Sequence, residues 1–107
     1  MDQLNKYHFN MKEVEKIMKT LKENKPILRE KYKVKTLGVF GSYIREEQKK
    51  KSDVDILVEF EKPLGLLEFV GLELQLSKLL GKKVDLVMKS ALKPRIGKHI
   101  LEEVQYV

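Results

Sequence analysis

Between Val39 and Phe60 the chain reads VFGSYIREEQKKKSDVDILVEF, and two aspartates, Asp53 and Asp55, lead straight into the apolar run Ile56-Leu57-Val58. Residues i and i+2 of an extended strand share a face. Asp53 and Asp55 therefore project together, while Val54 points the other way into a core. Two carboxylates about 6–7 Å apart along a strand repel unless a cation sits between them. Charge left uncompensated beside a buried strand is costly, and a hard divalent cation, which takes oxygen ligands, relieves it. The rest of the chain reads as a scaffold for that strand.

Taken in order, residues 1–9 carry no periodic signal and read as a loose lead-in. Asn10, with Glu13 three residues on, has the form of a capping box. Val14, Ile17, Met18 and Leu21 follow at helical spacing, which predicts a helix over about 10–24. Pro26 ends that helix and starts a short second one through Tyr32 as its first residue. Val34 to Phe40 reads as a strand in which Gly38 signals a bulge or close backbone approach. Gly41-Ser42 is the turn that follows, with a helical turn over 43–47 and an exposed basic loop from Gln48 to Lys51. Asp53 to Phe60 is a second strand with the near-continuous apolar centre of a strand covered on both faces. Leu64 to Leu80 predicts a helix with Leu66, Leu67, Val70, Leu74 and Leu80 inward and Gly81 as its terminator. Lys83 to Met88 is a third strand, Ser90 a cap, and Pro94 to Val104 a last helix with Ile96, Ile100, Leu101 and Val104 inward. The fold class is α/β (α+β): one domain over 1–107, a small mixed sheet of three to four strands flanked by helices.

Two groups of residues stand out for chemistry. A glycine lets an anion approach the backbone, and the helix start after Gly41-Ser42 offers unpaired N–H groups and a favourable dipole; Gly-Ser pairs also occur in ordinary turns. Asp85 interrupts the apolar run Val84-Leu86-Val87 of the third strand and adds a third carboxylate to Asp53 and Asp55. Three carboxylates at the ends of adjacent strands suit a two-metal site acting on phosphoryl groups. His8 and His99 are far apart with no third ligand, Tyr43 reads as surface packing more than as a base-stacking or self-modified residue, and Lys49-Lys50-Lys51 reads as a solvated loop able to steer anions. The third helix is apolar over more than one face, which fits either an interface or a helix sandwiched in the core.

Composition sets the outer bounds. With 22 basic and 16 acidic residues the formal net charge is +6, a bias toward polyanionic partners such as nucleotides. The lysines are dispersed, so direct nucleic-acid binding is not expected. There is no cysteine, which removes disulfides and thiolate metal sites. No apolar run approaches the roughly 20 residues of a bilayer span, and the polar first residues are no signal peptide, so a cytoplasmic protein with no membrane association is expected.

Gly41-Ser42, ten intervening residues, Asp53-Val54-Asp55 and the later strand carboxylate Asp85 resemble the nucleotidyltransferase superfamily typified by DNA polymerase beta. From about Met11 to Val107 the chain resembles more closely the minimal nucleotidyltransferases, small single domains that act as antitoxins to HEPN-domain toxins. Leu37-Gly-Val-Phe-Gly-Ser42, Arg45, Glu47, Ser52-Asp-Val-Asp-Ile-Leu-Val-Glu59, Lys83-Val-Asp-Leu-Val87 and Leu92-Lys-Pro94 carry that likeness. It implies that Asp53, Asp55 and Asp85 hold two Mg²⁺ ions (Mn²⁺ in their place is an option), that Gly41 and Ser42 cradle the β- and γ-phosphates of ATP, and that Arg45 offsets their charge. It further implies transfer of AMP to a hydroxyl, a tyrosine of a HEPN toxin ribonuclease, within a hetero-oligomer. The alternatives are an antitoxin that neutralises its partner by binding alone, and a transferase with a small-molecule or RNA acceptor. One departure bears on these: the family's Arg-Gly-Glu is Arg45-Glu46-Glu47 here.

Overall fold

The computed structural model describes residues 12–107; the lead-in over 1–9 and the Asn10 cap lie outside them. Helix α1 runs from Glu13 to Tyr32 without a break, with Lys12 at its N-cap and Pro26 inside it. The expected division into two helices is thus corrected. A proline within a helix forfeits one hydrogen bond and costs about 3 kcal/mol. Leu21 and Leu28, one on each side of it, are both fully buried. Burying such a side chain contributes about 1.5–3 kcal/mol, so packing outweighs the local breaker.

Strand β1 (Val34–Phe40) passes through a 3₁₀ turn at Gly41–Tyr43 toward β2 (Val54–Phe60). Helix α2 (Leu66–Leu80) ends on Gly81 in the left-handed conformation and returns the chain to β3 (Val84–Met88). A second 3₁₀ turn at Lys89–Ala91, in which Ser90 makes no side-chain cap, leads to α3 (Pro94–Glu103) and a two-residue strand β4 (Gln105–Tyr106). The sheet order is β3-β2-β1-β4, with β2 and β3 parallel and the other pairs antiparallel. The architecture is α+β, a four-stranded mixed sheet with helices, as the pattern predicts.

Alternation along the strands separates the two faces. Leu37 and Val39 of β1, Val54, Ile56 and Val58 of β2, and Val84 and Leu86 of β3 form one core with Ile17, Leu21 and Leu28 of α1 and Leu72 and Leu76 of α2. Both long helices therefore cover one face. The other face carries the polar residues of β2 and β3. The outward-facing edge of β3 is capped by α2: the Val84 N–H donates to Ser77 Oγ and the Leu86 N–H to Glu73 Oε2, each at 2.9 Å.

Three packing expectations are corrected. Leu66, Leu67, Val70 and Leu74 of α2 are exposed, Leu67 by 87%, and the helix instead buries Leu72 and Leu76. In α3, Ile96 and Leu101 are exposed and Gly97 is the buried residue. Tyr43 is a core side chain, 1% exposed, rather than a surface residue. Gly38 marks a close approach: a Cβ there would lie 2.7 Å from Val104 Cγ2 and 3.0 Å from the Gln105 carbonyl oxygen. That approach lets β4 pair with Gly38 and Val39 and draws the end of α3 against β1. The bulge lies elsewhere, between Val34 and Thr36.

Candidate active site

The parallel register sets Asp55 opposite Asp85 on adjoining strands, on the face away from α1 and α2. Phe40, the last residue of β1, stands opposite Asp55 across the other ladder, so the Gly41-Ser42 turn begins beside the same carboxylate. Gly41 has φ +80°, and a Cβ at that position would run into the Asp55 carboxylate. Only glycine satisfies both constraints without strain. The turn closes with hydrogen bonds from the Ile44 and Arg45 N–H groups to the Gly41 carbonyl and from the Glu47 N–H to that of Ser42. A helical turn of this kind leaves its first N–H groups without intrahelical partners.

Electrostatics mark the same spot. Burial, with repulsion from Asp85 and then Asp53, pushes the Asp55 carboxyl up to about 6, while Arg45 opposes the shift. The nearest lysine contact is loose, Lys83 Nζ lying 4.0 Å from Asp53 Oδ2 at an exposed position. The donor set is all carboxylate oxygen, which fits a hard divalent cation; burial first, and repulsion from Asp85 and Asp53 second, make the Asp55 charge costly without one. Among the described residues no three acidic or histidine side chains converge as a ligand cluster.

Arg45 lies on the turn's exit and is held by two carboxylates. Its Nε donates to Glu47 Oε1 at 2.9 Å, and its Nη1 donates to both oxygens of Glu103 at 2.9 and 3.0 Å. Glu47 first and Glu103 second raise the guanidinium's pKa. Glu103 also accepts the Gly41 N–H at 2.6 Å. The Gly41 amide is thus engaged by the protein itself. Glu103 escaped the sequence reading because it sits 62 residues from Gly41, in an unremarkable Glu-Glu pair at a helix end.

Glu46, where the resemblance leads one to expect glycine, adopts φ +57°. The backbone conformation that glycine would supply is therefore kept, and the carboxylate is drawn outward to Lys12 Nζ at 2.8 Å, between exposed side chains. Of the remaining candidates, Tyr43 is buried and unavailable to a base, Lys49, Lys50 and Lys51 are exposed, and His99 is exposed on α3. His8 lies outside the described residues.

The nucleotidyltransferase domain family matches residues 11–107. Protein adenylyltransferase MntA of Thermococcus cleftensis is 54% identical over 94 residues, which cover 88% of this chain and 95% of that one. A Methanocaldococcus jannaschii protein assigned as a protein adenylyltransferase is also 54% identical, over 98 residues, 91% of this chain and the whole of its own length. Among solved structures, a minimal nucleotidyltransferase superposes with a TM-score of 0.67 at 35% identity, covering 82% of this chain and 93% of that one. A toxin–antitoxin complex with AMP-PNP superposes with a TM-score of 0.65 at 27% identity, covering 90% and 72%. A tri-AMPylated Shewanella oneidensis HEPN toxin in complex with MNT antitoxin superposes with a TM-score of 0.56 at 25% identity, covering 99% and 71%. With matches of this extent, and a sheet that brings Gly41-Ser42, Asp55 and Asp85 together, this chain belongs to the nucleotidyltransferase domain family, among relatives named protein adenylyltransferases.

Proposed function

We propose that this chain transfers AMP from ATP to a tyrosine hydroxyl of a HEPN-domain toxin, and that it acts as that toxin's antitoxin. The observation that carries the reading is the register of Asp55 beside Asp85 at the end of the Gly41-Ser42 turn. The relatives named adenylyltransferases and the AMPylated toxin complex support the donor and the acceptor class. Asp53, Asp55 and Asp85 would hold two Mg²⁺ ions, which supply charge neutralisation at the triphosphate and a more acidic acceptor hydroxyl. Asp55 must be ionised to serve, and because its carboxyl is raised in the free protein, Mg²⁺ competes there with a proton and binding weakens as pH falls. The turn at Ser42 donates to the leaving phosphates, and Arg45 adds a placed donor more than a free charge, because Glu47 and Glu103 already balance it. The acceptor oxygen bonds to the α-phosphorus as the bond to the departing pyrophosphate breaks, and the hydroxyl proton leaves to solvent. Positioning dominates such chemistry, and no protein nucleophile is needed.

A purely binding antitoxin draws its support from Glu46 in place of glycine. That support weakens once Glu46 is seen to adopt the glycine conformation with its charge paired to Lys12. The deciding experiment co-incubates the chain, Mg²⁺ and ATP with a partner HEPN toxin and follows adenylyl additions by intact mass. Wild type should add AMP to tyrosine, and Asp53→Asn/Asp55→Asn should not. Equal labelling by the double variant, or full toxin neutralisation by it without labelling, would sink the catalytic reading.

A further inference from the structure

The carboxylate of Glu103 is only 24% exposed and accepts three hydrogen bonds, one from the Gly41 amide and two from Arg45 Nη1. It thereby joins the last residue of α3 to both ends of the Gly-Ser turn. We propose that Glu103 is a positioning residue of the nucleotide site: it holds the turn and the Arg45 guanidinium as one preformed unit that receives a triphosphate. The identity of that ligand rests on the AMP-transfer reading above.

Two features separate this role from simple packing. A neutral acceptor would satisfy the Gly41 N–H equally well, whereas a carboxylate at this place adds repulsion to Asp55. The charge is matched instead to Arg45. Of the guanidinium's five donors, Nε goes to Glu47 and Nη1 to Glu103, so Nη2 is left with no acceptor among the described residues. Glu47 holds the Nε edge and Glu103 holds Nη1 on the opposite side, so the two carboxylates fix the guanidinium's plane from different edges and leave Nη2 as the nitrogen an anion can take. The backbone supports the arrangement: Gly38 admits the β4 backbone, and β4 pins the end of α3 where Glu103 meets Gly41.

Holding one long side chain in place saves an incoming ligand about 3- to 10-fold in affinity, and a loosened turn adds to that. Calorimetry with ATP and Mg²⁺ on the full chain should show binding weakened about 10-fold or more in Glu103→Ala. Glu103→Gln, which keeps an acceptor but loses the charge, should fall between that variant and wild type. Arg45→Ala/Glu103→Ala should bind no more weakly than the worse single variant, because the two residues act as one unit. Wild-type affinity in Glu103→Ala with only a lower melting temperature would overturn the proposal, as would additive losses in the double variant. Tighter binding in Glu103→Ala would overturn it too, by showing that the carboxylate occupies a phosphate seat. Should Glu103→Ala fail to fold, the rank of Glu103→Gln against wild type decides. A wild type that binds ATP yet labels no toxin would refute the AMP-transfer reading while leaving this affinity test intact.

Discussion

Replacing Asp55 with asparagine is expected to stabilise the fold while removing its chemistry. The Asp55 carboxyl is pushed from its usual 3.8 to about 6 by burial, Asp85 and Asp53. At about 1.36 kcal/mol per pKa unit, that shift corresponds to about 3 kcal/mol of penalty on the charged folded state. Water reaches the partly exposed carboxylate, and screening reduces the figure to about 1–2 kcal/mol. A raised acid pKa means that the folded chain binds the proton more tightly than the unfolded one. The stability tied to the protonated group is therefore fully present below about pH 4 and is lost as pH rises through about 6. The asparagine variant escapes that loss. Urea denaturation without divalent cations should show it more stable than wild type by about 1–2 kcal/mol at neutral pH and nearly equal to it at about pH 4. Mg²⁺ should narrow the neutral-pH gap, since a ligand that binds only the native wild type stabilises it. An asparagine variant less stable than wild type at neutral pH, or a gap independent of pH, would refute the electrostatic account of the site.

Three further outcomes follow from particular positions. Gly41→Ala combines φ +80° with a Cβ driven into Asp55, so thermal denaturation should show a loss of at least about 1–2 kcal/mol and AMP transfer should fall to background. Glu46→Gly relieves about 1–2 kcal/mol of left-handed backbone cost but adds about 0.5–1 kcal/mol of unfolded-state entropy, for a net gain of about 0–1.5 kcal/mol, less the small contribution of the exposed Lys12 pair, with transfer retained; a loss of more than about 1 kcal/mol would show that Glu46 is not strained. Leu72→Ala should cost about 2–5 kcal/mol as a core cavity, whereas Leu67→Ala on the exposed face of the same helix should stay within about 0.5 kcal/mol, both read by chemical denaturation.

The α2 helix shows where sequence periodicity stops. Leucines recur on so many of its positions that spacing cannot choose the inward face, and the sheet beneath it selects Leu72 and Leu76. In α1 the local signal misleads. Pro26 is a genuine breaker, yet the energy of burying Leu21 and Leu28 on one stripe exceeds its cost. Strand β4 is too short to have a pattern of its own and exists because Gly38 leaves room for it beside β1.

The sequence by itself determined the strand that carries Asp55, the turn at Gly41-Ser42, the acidic interruption at Asp85 and the α+β class. These follow from local rules: alternation along a strand, glycine's tolerance of positive φ, and the cost of charge within an apolar run. Tertiary structure decided that Asp85 pairs in register with Asp55, that α1 and α2 cover the opposite face, and that Glu103 closes on Gly41 and Arg45. Those are contacts between residues tens of positions apart, and only the packing of the sheet and the approach of β4 to Gly38 bring them within reach.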